Sequence, residues 1–183
     1  MALMATTLPI VAARLQIVYS EPEDRLTLMA VNAKAQGVYV ALTRRITDRL
    51  INGLAHLLEQ SSPVAIQAPA ELRADIILME HQDALYGHEQ ADQAPDLAEE
   101  QSGAILPNLP APRLATAIDV TVTPTTFEIR VRDEGAPLIA LSLTRLEVHR
   151  VVETLSQRAD AAGWNIAVDA TWLEPGQTEI VFN

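Results

Sequence analysis

One pattern of apolar and polar positions runs through the chain twice. In Arg14–Ser20, Leu15, Ile17 and Tyr19 recur at every second residue, the period of a half-buried strand. Glu21-Pro22-Glu23-Asp24 follows as a turn, since proline fixes φ and short acidic residues tolerate turn positions. Arg25–Val31 alternates again through Leu26 and Leu28, Asn32–Gly37 turns, and Val38–Leu42 returns as a third strand. The period then changes to that of a helix. Thr43 stands at the N-cap, and Ile46, Leu50, Leu54, Leu57 and Leu58 form one apolar stripe. Gly53 interrupts that helix at a cost of up to about 1 kcal/mol relative to alanine. The expected reason is close contact with a neighbouring backbone.

The second copy is cleaner. Ile118, Val120 and Val122 alternate, Pro124-Thr125 turns, and Phe127, Ile129 and Val131 alternate. Asp133-Glu134-Gly135 is a hairpin signal before the third strand, Leu138–Leu143. Thr144 and Glu147 make a capping box for a helix with Val148, Val151, Val152, Leu155, Ala159 and Ala162 inward, closed by Gly163. Aligned without a gap, Leu42-Thr43-Arg44 falls on Leu143-Thr144-Arg145, Arg49 on Arg150, Leu54 on Leu155, Ile17 on Ile118 and Leu28 on Ile129. The chain is a duplicated unit of three strands and a helix.

Other segments belong to one copy only. Ser61–Pro63 ends the first helix, and Val64–Ile66 reads as a short fourth strand. Pro69–Tyr86 carries Leu72, Ile76 and Met79 at helical spacing, with Glu71 in the first turn. This extra helix has no counterpart in the second repeat, so it is a candidate partner surface. Gly87–Arg113 holds five acids and four prolines with little apolar patterning, a segment too polar to offset the entropy of ordering it. Ile166–Leu173 and Thr178–Phe182 read as a final hairpin around Glu174-Pro175-Gly176-Gln177.

The expected organisation is a first repeat over 1–87 with its extra helix at about 69–86, an acidic, proline-rich mobile linker over 88–113, and a second repeat with a C-terminal hairpin over 114–183. The expected fold class is α+β, with mainly antiparallel sheets and helices packed on one face.

Composition narrows the function classes. The hydrophobic fraction of 49% with only 4% aromatics requires an aliphatic core. Cysteine is absent, which removes disulfides, thiolate metal sites and cysteine nucleophiles together. The opening MALMATTLPIVAARLQ has no positive charge ahead of its apolar residues and reads as a cytosolic start, not a signal peptide. No run of roughly 18 apolar residues offers a membrane span, so a cytoplasmic protein is expected. The formal net charge of −11 repels phosphate backbones and disfavours nucleic acid unless basic residues gather on one face.

Catalytic motifs are missing. His56, His81, His88 and His149 form no HExxH and no i,i+4 pair, and no metal or cofactor is expected. His81 and His88 with Glu80 and Glu89 make the one cluster that merits a metal titration. No GxSxG, GxGxxG or GxxxxGK[ST] occurs, and the paired acids Glu99-Glu100 fall in the linker, so no enzyme is expected.

The arginines carry the sharper signal. Arg44/Arg145 and Arg49/Arg150 recur at equivalent places near helix starts, where a cation opposes the macrodipole, and Arg130 and Arg132 extend the set on one strand. Internal ion pairing or an ordinary solvated face is the plainer account of them. A basic seam for an acidic partner or for nucleic acid is the alternative. The function expected by elimination is a non-enzymatic interaction protein, an accessory or structural subunit of a larger cytoplasmic assembly, with a protein partner or self-association. The second reading is a nucleic-acid-binding module that uses the arginine seam on a strand-helix platform.

Overall fold

The computed structural model describes residues 8–91 and 111–173, with side chains through Tyr86 in the first stretch. The fold is α+β. The first half contains β2 (Arg14–Ser20), β3 (Arg25–Val31) and β4 (Gly37–Leu42), followed by α1 (Arg44–Ser61). The second contains β6 (Ala117–Val122), β7 (Phe127–Asp133) and β8 (Ala136–Leu143), followed by α4 (Arg145–Ala161). Each trio is an antiparallel meander.

Two short strands join the halves reciprocally. Strand β1 (Ile10–Val11), which precedes the first half, pairs in parallel with β8 of the second. Strand β5 (Arg113–Leu114), which precedes the second half, pairs in parallel with β4 of the first. The sheet orders are therefore β1-β8-β7-β6 and β2-β3-β4-β5, so β2 and β6 each lie at an edge, opposite the short joining strand.

The duplication holds, with one correction to the gap-free alignment. Leu26↔Leu42 in the first sheet becomes Phe127↔Leu143 in the second, a step of 101 for both residues. Ile17↔Leu28 becomes Val120↔Ile129, so Leu28 steps by 101 while Ile17 steps by 103. Ile17 thus corresponds to Val120, not Ile118. Both turns span four residues, but the first hairpin runs one residue pair further, to Ser20↔Arg25, and a two-residue slip leaves every side chain on its original face. The apolar pattern alone is blind to it.

The caps follow the sequence. Thr43 Oγ accepts from Ile46 N at 3.3 Å, and Thr144 and Glu147 close a reciprocal capping box, with Glu147 accepting from Thr144 N at 2.7 Å. Glu134 and Gly135 both take positive φ in the two-residue turn between β7 and β8, the geometry that matches strand twist in a tight hairpin. Gly163 at φ 68° ends α4 in a left-handed cap, with Trp164 N donating to Ala159 O at 3.0 Å.

The connecting segment departs from expectation. Val64–Ile66 is not a strand but lies within α2 (Pro63–Gln67), capped by Ser62, whose Oγ accepts from Ala65 N. Proline at the first helical position and a serine before it favour a helix start more than three apolar residues favour a strand. A 3₁₀ turn, Ala70–Leu72, then leads into α3 (Arg73–Ala91), which runs four residues into the stretch expected as linker. The linker from residue 92 to residue 110 lies outside the described residues.

The C-terminal hairpin is also corrected. Ile166–Leu173 is irregular chain ending in a 3₁₀ turn at Thr171–Leu173, and Thr178–Phe182 lies outside the described residues. Asn52 of α1 holds this segment through its side chain, donating to Ala167 O at 3.0 Å and accepting from Asp169 N at 2.9 Å. Those bonds occupy backbone groups that a strand pairing would need.

A single aliphatic core spans both halves, from Leu26, Leu28, Val40 and Leu54 to Ile129, Val131, Ile139 and Leu155. Helices α1 and α4 pack on each other, and each also reaches the first strand of the opposite half, α1 against β6 and α4 against β2. Among the described residues no helix is long and apolar enough to cross a membrane.

Candidate functional site

Helix α3, like α2, has no counterpart after α4 among the described residues, and it lies across α1 and α4. Its inner face is Ile77, His81 and Ala84, all buried. The spacing i, i+4, i+7 makes one stripe. His81 meets His149 of α4, an equally buried residue placed on the inward stripe between Val148 and Val152. Their Nδ1 atoms are 3.2 Å apart, so one ring donates and the other accepts. The other side of His81 faces Glu153, with Nε2 to Oε2 at 3.1 Å. Trp172 packs edge-on against both rings, 5.2 Å and 5.7 Å between centroids, and donates its indole N–H to Glu59 at 2.9 Å.

The electrostatics keep His149 uncharged. Burial, followed by the neighbouring His81 and Arg145, drives the His149 pKa down from 6.5 to about 3. His149 is therefore neutral at pH 7. The hydrogen bond from His81 is the main cause holding Glu153 below the usual carboxylate range. His149 Nε2 lies 3.8 Å from Glu80 Oε2, beyond hydrogen-bond reach, and has no partner among the described residues.

Arg145 completes the cluster. Its Nε and Nη2 donate to Glu80 Oε2 at 2.9 and 2.6 Å, Nη1 to Ser61 Oγ at 2.9 Å, and Nη2 also to the Leu58 carbonyl at 2.6 Å. Leu58 is in the last turn of α1, where carbonyls have no helical partner and the dipole is negative. A cation misplaced for its own helix start is well placed for the end of another helix. Ser62 Oγ donates to Glu80 Oε1 at 2.7 Å, so both carboxylate oxygens of Glu80 are engaged.

Chemically this is a clamp. Ser61 donates to Leu57 O and Ser62 to Glu80, so neither hydroxyl is bonded to a histidine base. Among the described residues no group of three His, Asp or Glu side chains is arranged to hold a metal ion. His81 and Glu80 of the candidate titration cluster are committed to α4, while the side chains of His88 and Glu89 lie outside the described residues.

The six arginines take different positions. Arg145 and Arg150 turn inward, Arg150 donating Nε to the Ala84 carbonyl of α3 at 3.0 Å. Arg132 pairs with Asp119 at 2.7 Å across adjacent strands. Arg44, Arg49 and Arg130 are exposed. Arg44 helps to hold the Asp24 carboxyl down, though the hydrogen bonds from Trp164 and Tyr19 do more.

The outer face of α3 is the surface that the inner cluster sets up. Leu72, just before the helix, is 51% exposed, Met79 62% and Tyr86 63%. Seven-residue steps put them in one row, roughly 180° around the helix from the buried stripe. Val64 and Ile66 of α2 are exposed as well. Asp75 and Asp83 flank the row.

Sequence alone marks this helix as unpaired but does not reveal the histidine contact behind it. A histidine on an otherwise valine-lined inward stripe is the available signal for His149. Nothing local points to His81 as its mate. No protein-family model matches the chain, and no curated protein or solved structure does.

Proposed function

We propose that the protein is a non-enzymatic interaction protein, an accessory subunit of a larger cytoplasmic assembly, which docks a protein partner on the outer face of α3. One observation supports this reading: α3 is apolar on two opposite faces, and among the described residues only one of them is covered. A helix apolar on both sides is normally buried on both. The row Leu72–Met79–Tyr86 has the spacing of one side of a helix-on-helix contact. Its acidic flanks, within a chain of net charge −11, favour a partner with an apolar helix edged by basic residues. The buried clamp behind the row holds it rigid, which reduces the ordering cost of binding.

The nucleic-acid reading rests on fewer cations than the sequence offers, since Arg145, Arg150 and Arg132 bond within the chain. Affinity capture with the full chain separates the two. The proposal expects a stoichiometric protein companion that is lost on Met79→Asp with Tyr86→Asp and kept on Arg44→Ala with Arg49→Ala. A companion indifferent to the α3 pair, or bound nucleic acid released by salt and by the arginine pair, overturns it.

A further inference from the structure

The duplication creates two equivalent clefts, each between a helix and the first strand of the other half. Arg49, Leu50 and Gly53 of α1 with Ile118 and Val120 of β6 match Arg150, Val151 and Thr154 of α4 with Leu15 and Ile17 of β2. The helix pairs differ by 101 and the strand pairs by 103, the steps that relate the halves throughout. The α1–β6 cleft measures about 380 Å³, its counterpart about 270 Å³.

Three differences distinguish the larger cleft, two of them substitutions. Gly53 stands where Thr154 stands in the other. A Cβ at Gly53 would meet nothing within 4 Å, so the close backbone contact expected from the sequence is not the reason for glycine. The helix carries a cost of up to about 1 kcal/mol for a residue whose effect is to leave space. Ile46 replaces Glu147, removing a carboxylate from the wall. Arg49 is exposed at the cleft, whereas its equivalent Arg150 is drawn onto Ala84 O. Among the described residues Arg49 joins no ion pair. An apolar floor with one placed cation, in a volume within the roughly 300–1,000 Å³ of small-molecule sites, describes an anionic amphiphile's site.

We propose that the α1–β6 cleft binds a small aliphatic carboxylate, its chain along Leu50, Gly53 and Ile118 and its carboxylate on the Arg49 guanidinium. Arginine supplies a planar fork that matches a carboxylate's two oxygens.

Calorimetric titration of the full chain with decanoate tests this, with decyltrimethylammonium as the cation of equal chain length. The expected result is saturable decanoate binding, at least ten-fold weaker for the ammonium and for decanoate with Arg49→Gln. Gly53→Leu puts a branched side chain into the cleft from a position where a Cβ meets nothing within 4 Å, so it should raise or preserve Tm and abolish decanoate binding. Thr154→Leu in the other cleft should leave binding unchanged. Absence of decanoate binding to the wild type at millimolar concentration overturns the proposal. So does binding that survives Gly53→Leu, or ammonium binding as tight as decanoate.

Discussion

The ends of α1 and α4 occupy equivalent places in the two halves and are finished by different means. Helix α4 closes on itself, with Gly163 left-handed and Trp164 N returning to Ala159 O. Helix α1 has no such glycine, because the chain continues through Ser62 into α2. Its Leu58 carbonyl is satisfied instead by Arg145 from the start of α4. The equivalent Arg44 has no helix end to serve and stays exposed. One motif inherited twice therefore does two jobs, and the deciding factor is the segment that succeeds each helix. Where the chain goes on into α2 and α3, the repeated cation becomes the centre of a clamp. Where it ends in a glycine cap, the cation stays on the surface.

That contrast is most sharply broken by substituting the paired arginines. Arg145→Ala should cost about 2–3 kcal/mol, since it strands Glu80 and the Leu58 carbonyl in a half-buried setting. Arg44→Ala should stay within about 0.5 kcal/mol, the usual range for an exposed site. Urea unfolding of both variants checks the pair, and equal losses would dissolve the distinction.

Acid titration probes the histidine side of the same clamp. His149 is neutral when folded down to about pH 3, while the unfolded chain takes up its proton at its ordinary pKa of 6.5. Between those values the unfolded state binds the extra proton, so stability declines as pH falls. The loss should reach about 2 kcal/mol by pH 5. His149→Leu should flatten this segment of the ΔG–pH curve, and an unchanged slope would remove His149 as its cause. Depressed carboxyls such as Glu153 add their own loss only at lower pH.

The caps give the smallest contrast. Thr144→Ala should cost about 1.5 kcal/mol and Thr43→Ala about 1 kcal/mol, because only Thr144 is part of a reciprocal box with Glu147. Thermal unfolding at pH 7.5 would resolve the order, and a reversed order would discount the box.

Much of the architecture is legible in the sequence because it is local. Strand alternation, the two threonine caps, the Glu134-Gly135 turn and Gly163 are each dictated by a few neighbouring residues. One failure is local and the other is one of long-range context. Val64–Ile66 and Ile166–Leu173 resemble strands by composition. Ser62 and Pro63 start a helix in the first case, and Asn52, over a hundred residues away, captures the backbone in the second. The candidate docking face is half legible. Leu72 and Met79 read as one amphipathic face, but only the burial of Ile77, His81 and Ala84 shows that the inner stripe lies elsewhere, leaving the outer row exposed among the described residues. The His81–His149 contact joins residues with no shared motif, and Arg145 reads as a misplaced cation until the end of α1 is brought beside it.

The most direct test of the account is amide hydrogen exchange on the full chain, free and in the complex recovered by affinity capture. Docking on α3 predicts that slowed exchange on complex formation concentrates in Ala70–Tyr86 and in α2, with α1 around Arg44 and Arg49 unchanged. Slowing confined to Arg44–Arg49 and β7, with α3 exchanging as in the free chain, would contradict it.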